Sequence, residues 1–377
     1  MKVKRPKCSL CSKEAVVTLP YARLRLCEEH FEEFMKKRVK KVEMPKRVVA
    51  GLSGGKDSVA MVYLLKKVGV NVTAVTVNTV PEYTEREAEV AKELADELGI
   101  QHITVYPEEL YGFNALHHKY LRRKPCSLCS TLRRHALDLV AKRLGINYVA
   151  TGHNADDMAS LALTSLLKQD MDGLRKVTPL EESYGPFVGR VKPLFWVPER
   201  DVLAFVLAKG LPWIKASCPL YEQGSTFADR VKEFLNEMED RWPGTKINLL
   251  KSTLKLIPQR EIKKDVRACK YCGLPSWGEI CSVCKLRDMY KGKLPKAKPL
   301  KPTYNCDGNG NTFIIGVGWC RALDIHEKWI RVDKLLRKLG LNKEVAVAYD
   351  GRPLPHDSWI GSWDRLLIFV IPRLSPV

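Results

Sequence analysis

At 377 residues, 45% hydrophobic and 28% charged, the chain has apolar material for two or three packed domains and is neither fibrous nor disordered. Its apolar runs are strand-sized, far short of the ~20 residues that span a bilayer, and its basic, cysteine-bearing N-terminus is not a secretory signal, so a cytoplasmic protein with no membrane partner is expected. The net charge of +20 is unevenly placed, with +8 over residues 1–47, −1 over 48–244 and +11 over 245–303. A near-neutral body between two basic flanks suits a polyanionic partner, although a lysine-rich surface by itself is often only solvated.

The first element is a pair of knuckles. Cys8-x2-Cys11 and Cys27-x2-His30 offer four N/S donors, enough to close a tetrahedral zinc shell, so residues 1–45 are read as a structural zinc module with basic neighbours Lys36-Lys37-Arg38. From 46 to 225 short apolar strands alternate with amphipathic helices, the pattern of an α/β domain with a parallel, Rossmann-like sheet covered on both faces. Strands are expected at 47–52, 72–78, 101–105 and 147–151, and helices at 57–68, 85–98, 131–144, 156–167 and 199–209. Such sheets bind their ligand at the carboxyl ends of the strands.

The first strand runs into Ser53-Gly54-Gly55-Lys56-Asp57-Ser58 and then a helix. Glycines let the backbone approach an anion, and the amides of the loop and helix start point donors at phosphate; the spacing is not that of a Walker loop. A second strand-to-helix junction reads Thr151-Gly152-His153-Asn154-Ala155-Asp156-Asp157. Its carboxylates suit Mg2+ or the α-phosphate side of a nucleotide, with Asp157 the preferred catalytic carboxylate; capping of the helix by Asp156 is the plainer alternative.

Three cysteines accompany these loops. Cys126 and Cys129 open a helix beside Arg122, Arg123 and Lys124, a setting that favours thiolates, and Cys218 closes the region. Two chemistries fit: a 4Fe-4S cluster held by all three, with one iron free to carry hydrosulfide, or a persulfide on one cysteine resolved by another.

Residues 226–295 begin as helices and end in a second cysteine set, Cys269-x2-Cys272 and Cys281-x2-Cys284, read as a second zinc site. Residues 296–303 lie in a Lys/Pro-rich linker. From 304 to 377 strands are expected at 312–317, 323–330, 345–349 and 365–371, with a helix at 332–339, and Cys306 and Cys320 are read as ordinary thiols.

The SGGKDS loop resembles the PP-loop of the ATP pyrophosphatase superfamily, with its adenine nucleotide α-hydrolase-like fold. That resemblance implies that Ser53, Gly54, Gly55, Lys56, Asp57 and Ser58, with Gly152 and Asp156, serve ATP and Mg2+. The order of PP-loop, C-x2-C, GHN-x-DD and a later lone cysteine, bracketed by two zinc modules, is similar to the tRNA 2-thiolation enzymes over roughly residues 1–290. The resemblance implies an ATP-dependent tRNA sulfurtransferase acting at uridine 54 or wobble uridine 34, with catalytic residues Cys126, Cys218, Asp157 and Arg133, a tRNA substrate and a homodimeric state. One departure stands out: Ser130 and Arg133-Arg134 stand where the family commonly has Gly and Lys-Arg, so a planar guanidinium replaces a functional lysine at 133. Residues 332–372 resemble β-grasp, ubiquitin-like sulfur carriers, but the chain ends Leu374-Ser375-Pro376-Val377 instead of Gly-Gly. The expectation is a retired carrier domain beside the docking surface of a separate thiocarboxylated carrier. A PP-loop ligase or amidotransferase, which needs no cysteines at the site, and a non-enzymatic zinc-ribbon RNA-binding protein are the competing functions.

Overall fold

The computed structural model describes residues 6–81, 85–214, 220, 226–257 and 266–294, and between 312 and 372 the backbone course of seven strands and a helix. Cys218 and Cys306 lie outside the described residues.

The N-terminal module is a hairpin, β1 (Val17–Leu19) and β2 (Leu24–Leu26), followed by helix α1 (Glu28–Val39). Its apolar face does not form a core of its own. Phe31, Met35 and Val39 are buried in the same cluster as the central domain, and Phe31 meets Phe205 edge-on at a centroid distance of 5.7 Å.

The central domain then runs β3 (Arg47–Gly51), α2 (Lys56–Lys67), β4 (Asn71–Val77), α3 (Glu85–Leu98), β5 (Gln101–Val105), α4 (Pro107–Tyr111), α5 (Pro125–Arg143), β6 (Tyr148–Ala150), α6 (Ala155–Leu167), α7 (Met171–Leu174), β7 (Leu180–Glu181), β8 (Gly189–Val191) and α8 (Glu199–Ala208). The sheet order is β5-β4-β3-β6-β8-β7, parallel except for the antiparallel edge strand β7. From Val72 to Val77 every residue of β4 is buried, as expected of a strand covered on both faces. The chain leaves β3 toward β4 on one side and returns as β6 on the other. This reversal opens a crevice at the carboxyl ends of β3 and β6, where Ser53 and Thr151 follow the two strands.

Two differences from the sequence expectations matter. Helix α5 begins at Pro125, not near 131, because a proline at the first helical position starts a helix well; Cys126 and Cys129 therefore lie within its first two turns. The short strands β7 and β8, two and three residues long, carry too little pattern to be read beforehand.

Helices α9 (Phe227–Arg241) and α10 (Thr245–Leu256) pack on α6. A small hairpin, β9 (Arg267–Ala268) and β10 (Pro275–Ser276), and helix α11 (Ser282–Tyr290) complete the second cysteine module. Farther on come β11 (Thr312–Gly316), β12 (Trp319–Leu323), β13 (Trp329–Arg331), α12 (Val332–Lys338), β14 (Val345–Tyr349), β15 (Arg352–Leu354), β16 (Trp359–Gly361) and β17 (Leu366–Pro372). Five of these strands form a sheet in the order β12-β11-β17-β14-β15, with β11 and β17 parallel. The single strand expected over 323–330 is instead divided between the ends of β12 and β13.

Candidate active site

The glycine loop is tightly built. Gly54 takes φ +73°, and a Cβ there would lie 2.7 Å from the carbonyl oxygen of Glu87, so backbone conformation and space both demand glycine. Gly55 caps α2, and Ser58 Oγ donates to Gly55 O at 2.9 Å while the Ser53 N–H reaches Ser58 Oγ at 3.1 Å. The second loop presses against the first, since a Cβ on Gly152 would lie 3.1 Å from Ser58 N. Asn154 caps α6 and donates from Nδ2 to Asp57 Oδ1 at 2.9 Å. Two loops 97 residues apart are thereby fixed as one cradle.

Charges interleave around this cradle. Lys56 Nζ lies 2.7 Å from Asp57 Oδ2 and 2.8 Å from Glu199 Oε1; Lys232 Nζ lies 2.7 Å from Glu199 Oε2 and 3.2 Å from Asp157 Oδ1. Burial disfavours ionisation of Glu199, but the two ammonium groups outweigh it and hold the carboxyl down to about 2. Burial raises Asp57 despite Lys56, and the nearby Asp157 carboxylate adds to the effect. Asp157 also completes the capping box of α6 through Asn154 N–H. Asp156 is only 5% exposed and faces inward: it pairs with Lys246 Nζ and accepts the Glu199 N–H at 2.7 Å. It therefore braces the cradle from behind.

The thiols lie along the same edge. Cys129 Sγ is 3.1 Å from the hydroxyl of Thr79, just past the end of β4, and Cys126 is exposed. Arg133 follows Cys129 on α5 and acts electrostatically on Glu87, whose carboxyl burial pushes up to about 7 against that influence. The Gly54 loop follows β3, and Thr79, which holds Cys129, follows the adjacent parallel strand β4, so the glycine loop and this thiol lie at the carboxyl ends of neighbouring strands. Sequence reading missed Glu87, Glu199, Lys232 and Lys246, which come from helices with no local motif.

The two metal modules differ in outcome. Ligand atoms of Cys8, Cys11, Cys27 and His30 lie within 4.8 Å of one another, and the Cys11–Cys27 Sγ separation is 3.7 Å. A tetrahedron with ~2.3 Å metal–sulfur bonds has edges of roughly 3.8 Å, so this set fits zinc. At the second module the converging donors are Cys272, Cys281, Cys284 and, unforeseen, His135 of α5. The expected fourth ligand, Cys269, is buried beside them, its Sγ accepting the Cys281 N–H at 3.3 Å.

Comparison with known proteins bears on this arrangement. Residues 27–218 match the PP-loop domain family, and residues 7–32 match the N-terminal LIM domain of the 2-thiouridine synthetase TtuA. The chain is 38% identical over 296 residues to a tRNA-5-methyluridine(54) 2-sulfurtransferase of Pyrococcus horikoshii, covering 76% of this chain and 94% of that one. It is 31% identical over 305 residues to the enzyme of the same description from Thermus thermophilus, covering 78% and 94%. Among solved structures, the U34-tRNA thiolase NcsA from Methanococcus maripaludis, described with its [4Fe-4S] cluster, aligns with a TM-score of 0.65 at 28% identity, covering 78% of this chain and 98% of that one.

Proposed function

The chain belongs to the PP-loop family of tRNA 2-thiolation enzymes, and from that premise we propose that it adenylates the C2 carbonyl oxygen of a tRNA uridine with ATP and replaces that oxygen with sulfur. The observation that carries this reading is that the Gly54 loop and Cys129, held beside Thr79, lie at the carboxyl ends of the adjacent strands β3 and β4. A phosphate cradle and a pair of thiols share one edge of the sheet, as an activation step followed by a sulfur-delivery step requires.

In the first step uridine O2 attacks the α-phosphorus, the bond to the β-phosphate oxygen breaks, and pyrophosphate leaves. Amides of Ser53 to Ser58 hold the departing phosphates at the start of α2, where the helix dipole favours anions. Lys56 and Lys232 neutralise developing charge, and Glu199 fixes both ammonium groups so that no reorganisation is needed. Asp57 and Asp157 supply the oxygen donors suited to Mg2+. In the second step sulfur at the sulfide level bonds to C2 and AMP leaves with the former uridine oxygen. Arg133 of α5 is the cation assigned to this exchange.

Cys126 and Cys129 on the first two turns of α5, with Cys218, would hold the 4Fe-4S cluster. When bound, it supplies an iron without a cysteine ligand, available to sulfide. The cysteine modules take zinc, and the basic residues Lys36-Lys37-Arg38 beside the first of them serve tRNA phosphates.

The target is uridine 54, supported by the TtuA-type N-terminal match and the two relatives described for that position. The sheet order β12-β11-β17-β14-β15 with its parallel central pair supports reading residues 304–377 as a β-grasp domain. A separate thiocarboxylated carrier as sulfur donor, a homodimer and a cytoplasmic location complete the proposal. Among the described residues no helix is long and apolar enough to cross a membrane.

The test is anaerobic incubation of protein, ATP, sulfide and unmodified tRNA, followed by nucleoside mass spectrometry. Thiouridine at position 54, formed with AMP and lost in Cys126→Ala, is expected. Undiminished product from the Cys126→Ala, Cys129→Ala double variant would overturn the proposed role of the thiols.

A further inference from the structure

Five N/S donors crowd the second cysteine module, and a tetrahedral structural metal takes four. The four cysteines all come from the short stretch between β9 and the start of α11, a full set of four donors from one segment. His135 arrives from elsewhere, on the helix that bears Cys126 and Cys129. Its Nε2 lies 3.5 Å from Cys281 Sγ, the length of an N–H···S hydrogen bond, and its Nδ1 lies 2.8 Å from the Tyr111 hydroxyl. If that hydroxyl donates to Nδ1, the ring proton resides on Nε2 and points at the sulfur; tautomer and hydrogen bond select each other.

We propose that His135 is a positioning residue that joins the C-terminal metal module to the active-site helix: it donates from Nε2 to the metal-bound Cys281 thiolate and thereby fixes the rotation of α5 about its axis. A thiolate bound to metal carries the charge that makes it a good acceptor. Without metal the acceptor loses its fixed place, so metal occupancy in the module sets how firmly the first turns of α5 are held.

Other contacts agree with a joint at this point. Leu128 and Leu132 of α5 are buried in one cluster with Cys269, Cys281, Val283 and Cys284. Lys142 Nζ, two turns beyond His135, donates to Gly273 O at 2.5 Å. Cys129 precedes His135 by six residues, about 9 Å along the axis, so a rotation released at His135 reaches the thiol with little attenuation. The inference relies on the thiolation reading only for what Cys126 and Cys129 do; the joint itself is testable without it.

The test uses the full-length protein with cobalt(II) in place of zinc, comparing wild type with His135→Ala and His135→Gln. The N-terminal site contributes equally to all three and cancels in difference spectra. The expected results are unchanged ligand-field bands and metal content, with amide hydrogen exchange over residues 126–134 rising about tenfold in His135→Ala and partly restored in His135→Gln, which keeps an N–H donor. A shift of the bands or loss of one metal equivalent in His135→Ala would make the imidazole a ligand instead of a joint. Unchanged exchange in the metal-loaded alanine variant would remove its positioning role. Either result is independent of whether the protein thiolates tRNA.

Discussion

Lys56 of the glycine loop and Glu199 at the head of α8 are 143 positions apart in sequence and 2.8 Å apart in space. Through Lys232 the same carboxylate reaches Asp157, so one side chain sets the geometry of both cations beside the glycine loop.

Replacing Glu199 by Gln keeps the shape and removes the charge that aligns the two lysines. Steady-state kinetics of pyrophosphate release should show kcat falling about 10–100-fold, because misplaced cationic groups lose transition-state stabilisation. The KM for ATP should stay level or fall, since both cations keep their aspartate partners and still attract phosphate. A raised KM with unchanged kcat would show that Glu199 serves binding alone.

Gly54→Ala meets two penalties at once, a left-handed backbone and a 2.7 Å contact with Glu87 O. The conformational part costs about 1–3 kcal/mol, and relief of the contact must push α3 away from the loop. Calorimetric titration should find ATP affinity reduced more than tenfold, whereas Gly69→Ala, also at positive φ but with open space around it, should leave ATP binding unchanged.

Lys246→Ala leaves the Asp156 carboxylate buried with only the Glu199 amide for company. Breaking a buried pair from one side costs about 3–5 kcal/mol, to be read as a lowered urea midpoint. Adding Asp156→Asn to Lys246→Ala should recover much of that loss, because the stranded charge is then gone; no recovery would mean that the pair stabilises by packing alone.

Asp201 gives a pH dependence with a defined sign. Burial raises its folded-state pKa from 3.8 to about 7, although the Tyr21 hydroxyl bonds to the carboxylate. A raised carboxyl favours the folded state when protonated, so its contribution is fully present below pH 3.8 and is lost as pH rises through about 7. Asp201→Asn should therefore gain stability over wild type at pH 8, on the order of 2 kcal/mol once the altered Tyr21 bond is allowed for, and gain little at pH 4. Thermal melts at the two pH values check this; an equal effect at both would show that Asp201 is ionised throughout.

Much of the central domain was legible because local pattern and tertiary environment agree there. Helix Glu85–Leu98 and strand Gln101–Val105 fall on the expected bounds, since a clear amphipathic period and a short apolar run need no outside help. The phosphate cradle was equally plain, because few residues other than glycine permit its backbone. Glu199, Lys232 and Lys246 were not legible: charged residues on a helix look alike in sequence, and only the packing of α8, α9 and α10 turns these three inward. The convergence of His135 with the second cysteine set was hidden for a related reason, as it joins residues 146 positions apart, while the cysteine spacing already satisfied a four-donor count.

The N-terminal module also sets a practical boundary. Phe31 rests on Phe205 and Tyr21 bonds to Asp201, both on the helix whose first residue, Glu199, pairs with Lys56 and Lys232. Trimming the chain at residue 45 would bare an aromatic seam and unseat that helix, so a chimera that exchanges this finger with a relative's must transplant α8 as well.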